Sequence, residues 1–342
     1  MRSNQNQIPV AEIFRKSLIM LLTLFLFSCS KDEPAGGGSG NRPGAGDGEE
    51  ESAMLDVNLE LDLILPETTA ERKKLLSEEY AHRFILELHT VDRATKVREI
   101  FYRPIAADDK HHIVVNTRQL PGKYRLVIWS DYVTSDGNKS DHYDASTLIP
   151  VKISGGYKAN TETKDCFYGI KDVEIRKHEG RSETVNIQAE LARPIGRMEI
   201  VAEDPATFMK IFGARLSQGE KFCVRVVYPQ YIATAFNVHD GVMKEMQSGL
   251  SFSKELKFTE DDKKMTLAFD YLFADANGSD VPCRIEVTDG AGEKIAVSQV
   301  TLPMKRGKNI VISGRFLTSK QEGGVSVDTD YDGVVDIDLG KI

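Results

Sequence analysis

The chain has 342 residues, with 44 Lys and Arg against 52 Asp and Glu and a formal charge of −8. That acidic balance excludes a nucleic-acid-binding surface, which needs basic patches against phosphate. The length suits about two domains of about 150 residues each. The four cysteines, Cys29, Cys166, Cys223 and Cys283, are too few for a disulfide scaffold and too far apart in sequence for a zinc site.

Residues Ser17 to Phe27 form an apolar run behind the basic pair Arg15-Lys16. The run is too short to cross a bilayer, which takes about 20 residues, but suits the apolar core of a secretory signal. No second apolar stretch approaches transmembrane length. Cys29 follows where such a segment is cut, and Leu26-Phe27-Ser28-Cys29 resembles a bacterial lipoprotein signal. The resemblance implies removal of residues 1–28, acylation of Cys29, and attachment to the outer membrane by lipid. The alternative is an ordinary signal peptide with an incidental cysteine. Lys31-Asp32-Glu33 resembles the acidic export signal of Bacteroidales surface lipoproteins, which implies outward display. The plainer alternative is a charged start to a tether. Pro34 to Gly48 is rich in glycine and has no apolar side chain larger than alanine, so residues 29–52 are expected to be a flexible tether.

A first domain is expected over 53–191. Leu55, Val57, Leu59, Leu61, Leu63 and Leu65 alternate with Asp56, Asn58, Glu60 and Asp62, the pattern of a half-buried strand that Pro66 ends. Glu67 to Tyr80 suits a short surface helix. Phe84, Leu86 and Leu88 alternate again. Leu120-Pro121-Gly122-Lys123 reads as a turn before a strand with Tyr124, Leu126 and Ile128 on one face, and Ser135-Asp136-Gly137-Asn138 as the next turn. Apolar runs at Leu148–Ile153, Cys166–Ile170 and Val185–Leu191 read as further strands.

Ala192-Arg193-Pro194-Ile195-Gly196 marks a junction, and a second domain is expected over 192–342. Met198, Ile200 and Val201 open it. Asp204-Pro205 predicts a helix start, with about two turns over Ala206 to Phe212. Phe222, Val224, Val226 and Tyr228 alternate, as do Leu267, Phe269 and Tyr271, then Cys283, Ile285 and Val287, and last Val335, Ile337 and Leu339. The strand at Ile128-Trp129 and the strand at Phe269–Phe273 each lead into an Asn-Gly or Asp-Gly turn, a weak internal echo. Many short strands with little helix predict an all-β chain of two tandem β-sandwiches, with short helices in the connections.

Catalytic signatures are missing. There is no Gly-x-Ser-x-Gly elbow, phosphate loop, His-Glu-x-x-His or dinucleotide fingerprint, and no carboxylate pair spaced for acid–base work. No enzyme activity and no cofactor are therefore expected. His111-His112, as strand neighbours, point to opposite faces and cannot share a metal, so both are expected at the surface. Asp328, Asp330, Asp332 and Asp336 stand at positions 1, 3, 5 and 9 of a calcium-type loop, with Gly333 at position 6. Position 12 is Leu339 instead of Glu, and the flanks read as strands. A hairpin turning at Tyr331-Asp332-Gly333 is the expectation, with calcium as the alternative. Trp129 reads as core, with stacking on a sugar as the alternative, and Cys166 as a small buried residue.

Several segments together resemble Bacteroidales surface lipoproteins related to fimbrial anchor or minor fimbrial subunits of the fimbrillin-like type. They are the lipoprotein signal, Leu120-Pro121-Gly122-Lys123-Tyr124 with Trp129-Ser130-Asp131-Tyr132, Asp165-Cys166-Phe167-Tyr168-Gly169, Leu191 to Gly196, and Val327 to Gly333. The resemblance implies two transthyretin-like sandwiches, an anchoring or accessory role in fimbriae, and fimbrial structural subunits as partners, joined by donated strands. It supplies no catalytic residue. The alternative is a surface lipoprotein with a glycan ligand. The terminal strand is expected to pair within its own domain.

Overall fold

Alternating leucines make β1 (Leu55–Ile64) the middle strand of its sheet. The computed structural model describes residues 54–135, 140, 142–177, 180–258 and 262–319, and the backbone of 331–338. After β1 come α1 (Ala70–Ser77), β2 (Tyr80–His89), β3 (Thr95–Arg103), β4 (Lys110–Gln119), β5 (Gly122–Thr134), β6 (Tyr143–Asp144), β7 (Val151–Ile153), β8 (Cys166–Ile175) and β9 (Ser182–Glu190). A first sandwich has the order β4-β1-β9 in one sheet and β3-β2-β5-β8 in the other. β1 runs antiparallel to β4, with Leu59 opposite Val115, and parallel to β9, with Leu59 opposite Val185. Leu55, Val57, Leu59, Leu61 and Leu63 share one core with Phe84, Leu86 and Leu88 of β2 and with Leu126 and Ile128 of β5. Each buried side chain contributes about 1.5–3 kcal/mol. A one-residue slip would bury Asp56 and Asp62 instead, so the register is tightly held. The expected surface helix is α1, started by Thr69, whose hydroxyl accepts from the Arg72 amide at 3.4 Å.

The second half continues with β10 (Ile195–Ala202), α2 (Pro205–Ser217), β11 (Cys223–Tyr228), β12 (Ile232–Asn237), β13 (Val242–Gln247), β14 (Leu250–Glu255), β15 (Met265–Phe273), β16 (Ser279–Thr288), β17 (Lys294–Met304), β18 (Lys308–Gly314) and β19 (Tyr331–Asp338). Its sheets are β15-β10-β18-β19 and β14-β11-β16-β17. This repeats the first sandwich element by element. β10, α2, β11, β14, β15, β16, β17 and β18 stand where β1, α1, β2, β3, β4, β5, β8 and β9 stand, with every pairing sense preserved, including the parallel pairs β1–β9 and β10–β18. The echo expected between Ile128-Trp129 and Phe269–Phe273 joins the wrong strands: the counterpart of β5 is β16, and that of β4 is β15.

α2 extends well past the expected Phe212, because Phe208, Phe212 and Leu216 recur at helical spacing and pack on the second core. The Phe208 ring stacks on Phe258 with centroids 4.7 Å apart. Asp204 occupies the N-cap position but does not cap. Its carboxylate accepts instead from the amides of Leu317 and Thr318, at 3.2 and 2.9 Å.

Each sandwich carries an inserted strand pair, β6–β7 after β5 and β12–β13 after β11, and the two insertions form one third sheet, β13-β12-β7-β6. Phe236 lies opposite Val151 where they meet. This sheet covers the outer face of the first sandwich, and Ile85, Val127 and Trp129 are buried beneath it with Ile195, Phe236 and Phe273. β5 is thus buried on both faces along Leu126–Trp129, whereas the sequence pattern predicts one.

At the C-terminus, the expected turn at Tyr331-Asp332-Gly333 is not formed. β19 runs straight through it, antiparallel to β18, with Ser313 opposite Gly333 and Gly314 opposite Tyr331. Asp332 is the extra residue of a bulge, opposite the Ser313–Gly314 step of β18. The terminal strand pairs within its own sheet, as expected.

Candidate functional site

Two of the segments that carried the family resemblance, Asp165–Gly169 and Leu191–Gly196, meet beside Trp129 where the two sandwiches and the third sheet join. The 3-10 turn Glu162–Lys164 lies just before β8, and its last two neighbours face opposite ways. Lys164 Nζ reaches Asp270 of β15 at 2.6 Å, while Asp165 accepts from Arg72 Nη2 of α1 and from Arg193 Nε, both at 3.0 Å. All five side chains are buried. A charge in such a place costs several kcal/mol unless it is paired and its remaining hydrogen bonds are filled. Around Asp270 they are filled. Asp270 Oδ2 also accepts from the hydroxyls of Tyr157 and Tyr228, at 2.5 and 2.9 Å, and Oδ1 accepts from the Tyr271 amide at 2.8 Å. Lys164 Nζ stands 4.1 Å from the Tyr157 ring centroid, a cation–π contact. Burial, then the charge of Asp270, pushes the Tyr157 and Tyr228 hydroxyls well above their ordinary range, so they remain donors.

The backbone closes the same joint. Tyr168 and Ala192 exchange two amide–carbonyl hydrogen bonds of 2.9 Å. A Cβ on Gly169 would stand 2.6 Å from Leu191 Cδ2, and one on Gly196 would stand 2.5 Å from the carbonyl oxygen of Lys305. Gly196 is therefore demanded by the approach of backbone, while Gly169 faces a side chain that can shift. Trp129 is fully buried in this joint, edge-on to Tyr143 at 5.4 Å. Cys166 donates its thiol to the Tyr143 hydroxyl at 3.4 Å, and burial raises its pKa well above the ordinary value. A thiol held protonated in this way is inert.

The two neighbouring histidines do point to opposite faces. His112 is exposed and 2.9 Å from Asp62, but His111 is buried against Phe84 and His82, which corrects the expectation that both lie at the surface. The alternation of β4 sends His111 inward with Ile113 and Val115. Cys29, Lys31, Asp32, Glu33, Asp328 and Asp330 lie outside the described residues. Asp332 and Asp336 lie on β19. Among the described residues no group of three or more His, Cys, Asp or Glu side chains could hold a metal ion, and no helix is long and apolar enough to cross a membrane. What the joint supplies is rigidity: charge pairs, a shared sheet and shared core fix one sandwich against the other.

Solved structures resemble this chain at low identity. A candidate cell-adhesion protein from Parabacteroides distasonis superposes with a TM-score of 0.50 at 10% identity, covering 83% of this chain and 97% of that one. A fimbrial assembly protein from the same species gives 0.44 at 11%, covering 84% and 98%. The fimbrial anchor protein Mfa2 from Porphyromonas gingivalis gives 0.42 at 12%, covering 82% and 97%. No curated protein matches the sequence. A family model does match, over residues 47–339, and the chain belongs to that family, a family of unknown function designated DUF6562.

Proposed function

We propose that the chain is a non-enzymatic surface protein, held to the outer membrane by acyl chains on Cys29, that serves as an anchor or accessory subunit of a fimbrial assembly. In this reading residues 1–28 are removed, 29–52 are the tether, and the sandwiches of 53–191 and 192–342 form the working body. Lys31-Asp32-Glu33 directs the body outward. The observation that carries the reading is an asymmetry between two equivalent edges. In the second sandwich the outer edge of β18 is covered by β19. In the first, among the described residues, no strand pairs with the equivalent edge of β9. An uncovered edge offers a row of free N–H and C=O groups to a strand from a partner subunit. The fold shared with the candidate adhesion protein of Parabacteroides distasonis supports the same class of role.

The test has two parts. Several acyl chains at about 0.8 kcal/mol per buried CH₂ hold a protein firmly, so Cys29→Ala is expected to release the protein from membranes after a carbonate wash. Retention of the variant would refute the lipid anchor. Mass spectrometry of material co-purified from sheared cell surfaces is expected to return fimbrial structural subunits. Their absence would refute the assembly role and leave the anchor untouched.

A further inference from the structure

The third sheet covers β5 at Val127 and Trp129 but not at Lys123 and Arg125, and a cleft of about 630 Å³ opens there. Its floor is a cross-strand arrangement of opposite charges, with Lys123 opposite Glu174 and Arg125 opposite Asp172. Arg125 Nε is 2.9 Å from Asp172 Oδ1. One wall is the turn between β2 and β3. The other is His239-Asp240, which follows β12, so both halves of the chain build the cleft.

Two side chains in it are held in ways that packing alone does not demand. The His239 side chain is 7% exposed, and its Nδ1 is 2.9 Å from Asp240 Oδ1. Among the described residues its Nε2 has no partner, and the ring borders the cleft. The hydrogen bond from His239 and the charge of Arg93 hold the Asp240 carboxyl below the usual carboxylate range, and the second ring nitrogen of His239 is left for a ligand. Arg93 has a φ of 67°, a left-handed backbone that strains a non-glycine residue. Its amide donates to Thr90 O at 2.9 Å and its guanidinium lies 3.2 Å from Asp240. A strained arginine and a buried histidine meet on one carboxylate at a solvent-filled hollow.

The charges decide the ligand class. Three cations, Arg93, Lys123 and Arg125, face three carboxylates, Asp172, Glu174 and Asp240. Such a balance favours neither an anion nor a cation. It offers donors and acceptors in alternation, which matches the paired hydroxyls of a sugar. Val91, 85% exposed on the wall, gives an apolar contact for the C–H face of a ring. We propose that this cleft binds a neutral glycan. The proposal does not rest on the fimbrial reading. Tyr124, the aromatic residue of the lining, belongs to the core beneath, so binding rests on hydrogen bonds and is weak for a single sugar.

Saturation-transfer difference NMR on the full chain tests it, with short manno-, galacto- and gluco-oligosaccharides as probes and a heparin oligosaccharide as the anionic control. Transfer to at least one neutral probe is expected. His239→Ala and Arg93→Ala are each expected to weaken it tenfold or more in protein that circular dichroism shows to be folded. Should either variant fail to fold, the exchange Lys123→Glu with Glu174→Lys keeps the net charge and inverts the floor, and is expected to weaken binding as well. No transfer to any neutral probe, binding indifferent to these changes, or a salt-sensitive preference for heparin would each overturn the proposal.

Discussion

Acid should unfold the first sandwich through His82. This side chain lies on the inward face of β2, in line with Phe84, Leu86 and Leu88, and only 2% of it is exposed. Its ring packs on Tyr132 at 4.7 Å and meets His111 of β4 at 5.4 Å. Burial, and next the neighbouring His111 and Lys73, lowers its pKa from 6.5 to about 3. The folded protein therefore holds His82 neutral, while the unfolded chain protonates it below about pH 6.5. The stability from keeping it neutral is complete above that pH and is lost as pH falls toward 3. The full difference is about 5 kcal/mol, of which about 3 kcal/mol is gone by pH 4. His111, also lowered by burial, acts in the same direction. The assay is urea denaturation at pH 7 and pH 4, followed by the fluorescence of Trp129, the single tryptophan of the chain. His82→Phe keeps a ring in the aromatic cluster and removes the titration. Between pH 7 and pH 4 the wild type is expected to lose about 3 kcal/mol more than the variant. Parallel losses in the two proteins would refute the reasoning.

The joint gives further predictions. Asp270→Asn, which leaves Lys164 buried without its counter-charge, is expected to cost about 3–5 kcal/mol in denaturant titrations, and Lys164→Met with Asp270→Leu is expected to recover much of it. Gly196→Ala pushes a methyl against backbone and Gly169→Ala against a movable leucine, so both should lower the melting temperature, the first by more. Replacing Lys31, Asp32 and Glu33 together by Ala should leave the protein in membranes but shield it from external protease on whole cells; unchanged shaving would refute the export reading. Deleting Asp336–Ile342 removes part of an edge strand with one ladder partner, so circular dichroism should show a retained fold with a lowered melting temperature.

Strands whose neighbours along the chain decide their faces were legible. β1 buries one alternating set of large apolar residues, β11 and β16 carry such a set through Val224, Val226 and Tyr228 and through Cys283, Ile285 and Val287, and the sequence displays these sets directly. β3 and β17 were not. β3 is an edge strand with charged residues throughout, and β17 starts its buried face with Ala296 and Ser298, too small or too polar to mark it, and places Ile295 and Val297 on the other face before Val300, Leu302 and Met304 continue the buried one. The two-sided burial of β5 was beyond any local pattern, because the sheet that covers it is assembled from insertions far apart in the chain. The repeated topology was hidden for the same reason: the halves share pairings, not residues. In Asp165-Cys166-Phe167-Tyr168-Gly169 the cysteine is the conspicuous residue, whereas Lys164 and Asp165 do the joining. An adjacent Lys-Asp pair beside an apolar run was the available signal. The cleft at His239 draws on segments around residues 90, 124, 173 and 240, a combination only the fold creates.

The central position of β1 has a mechanical consequence. The strand is laddered to β4 along all of Leu55–Ile64 and to β9 along Asp56–Ile64, one neighbour antiparallel and the other parallel. A pull on its N-terminal end acts along the strand axis, so it loads both ladders in shear, and the hydrogen bonds must fail together. A strand pulled sideways from a sheet edge gives way one bond at a time, as a zip opens. Force that enters at Leu55 is thus shared across the whole sheet before any part of the sandwich can yield.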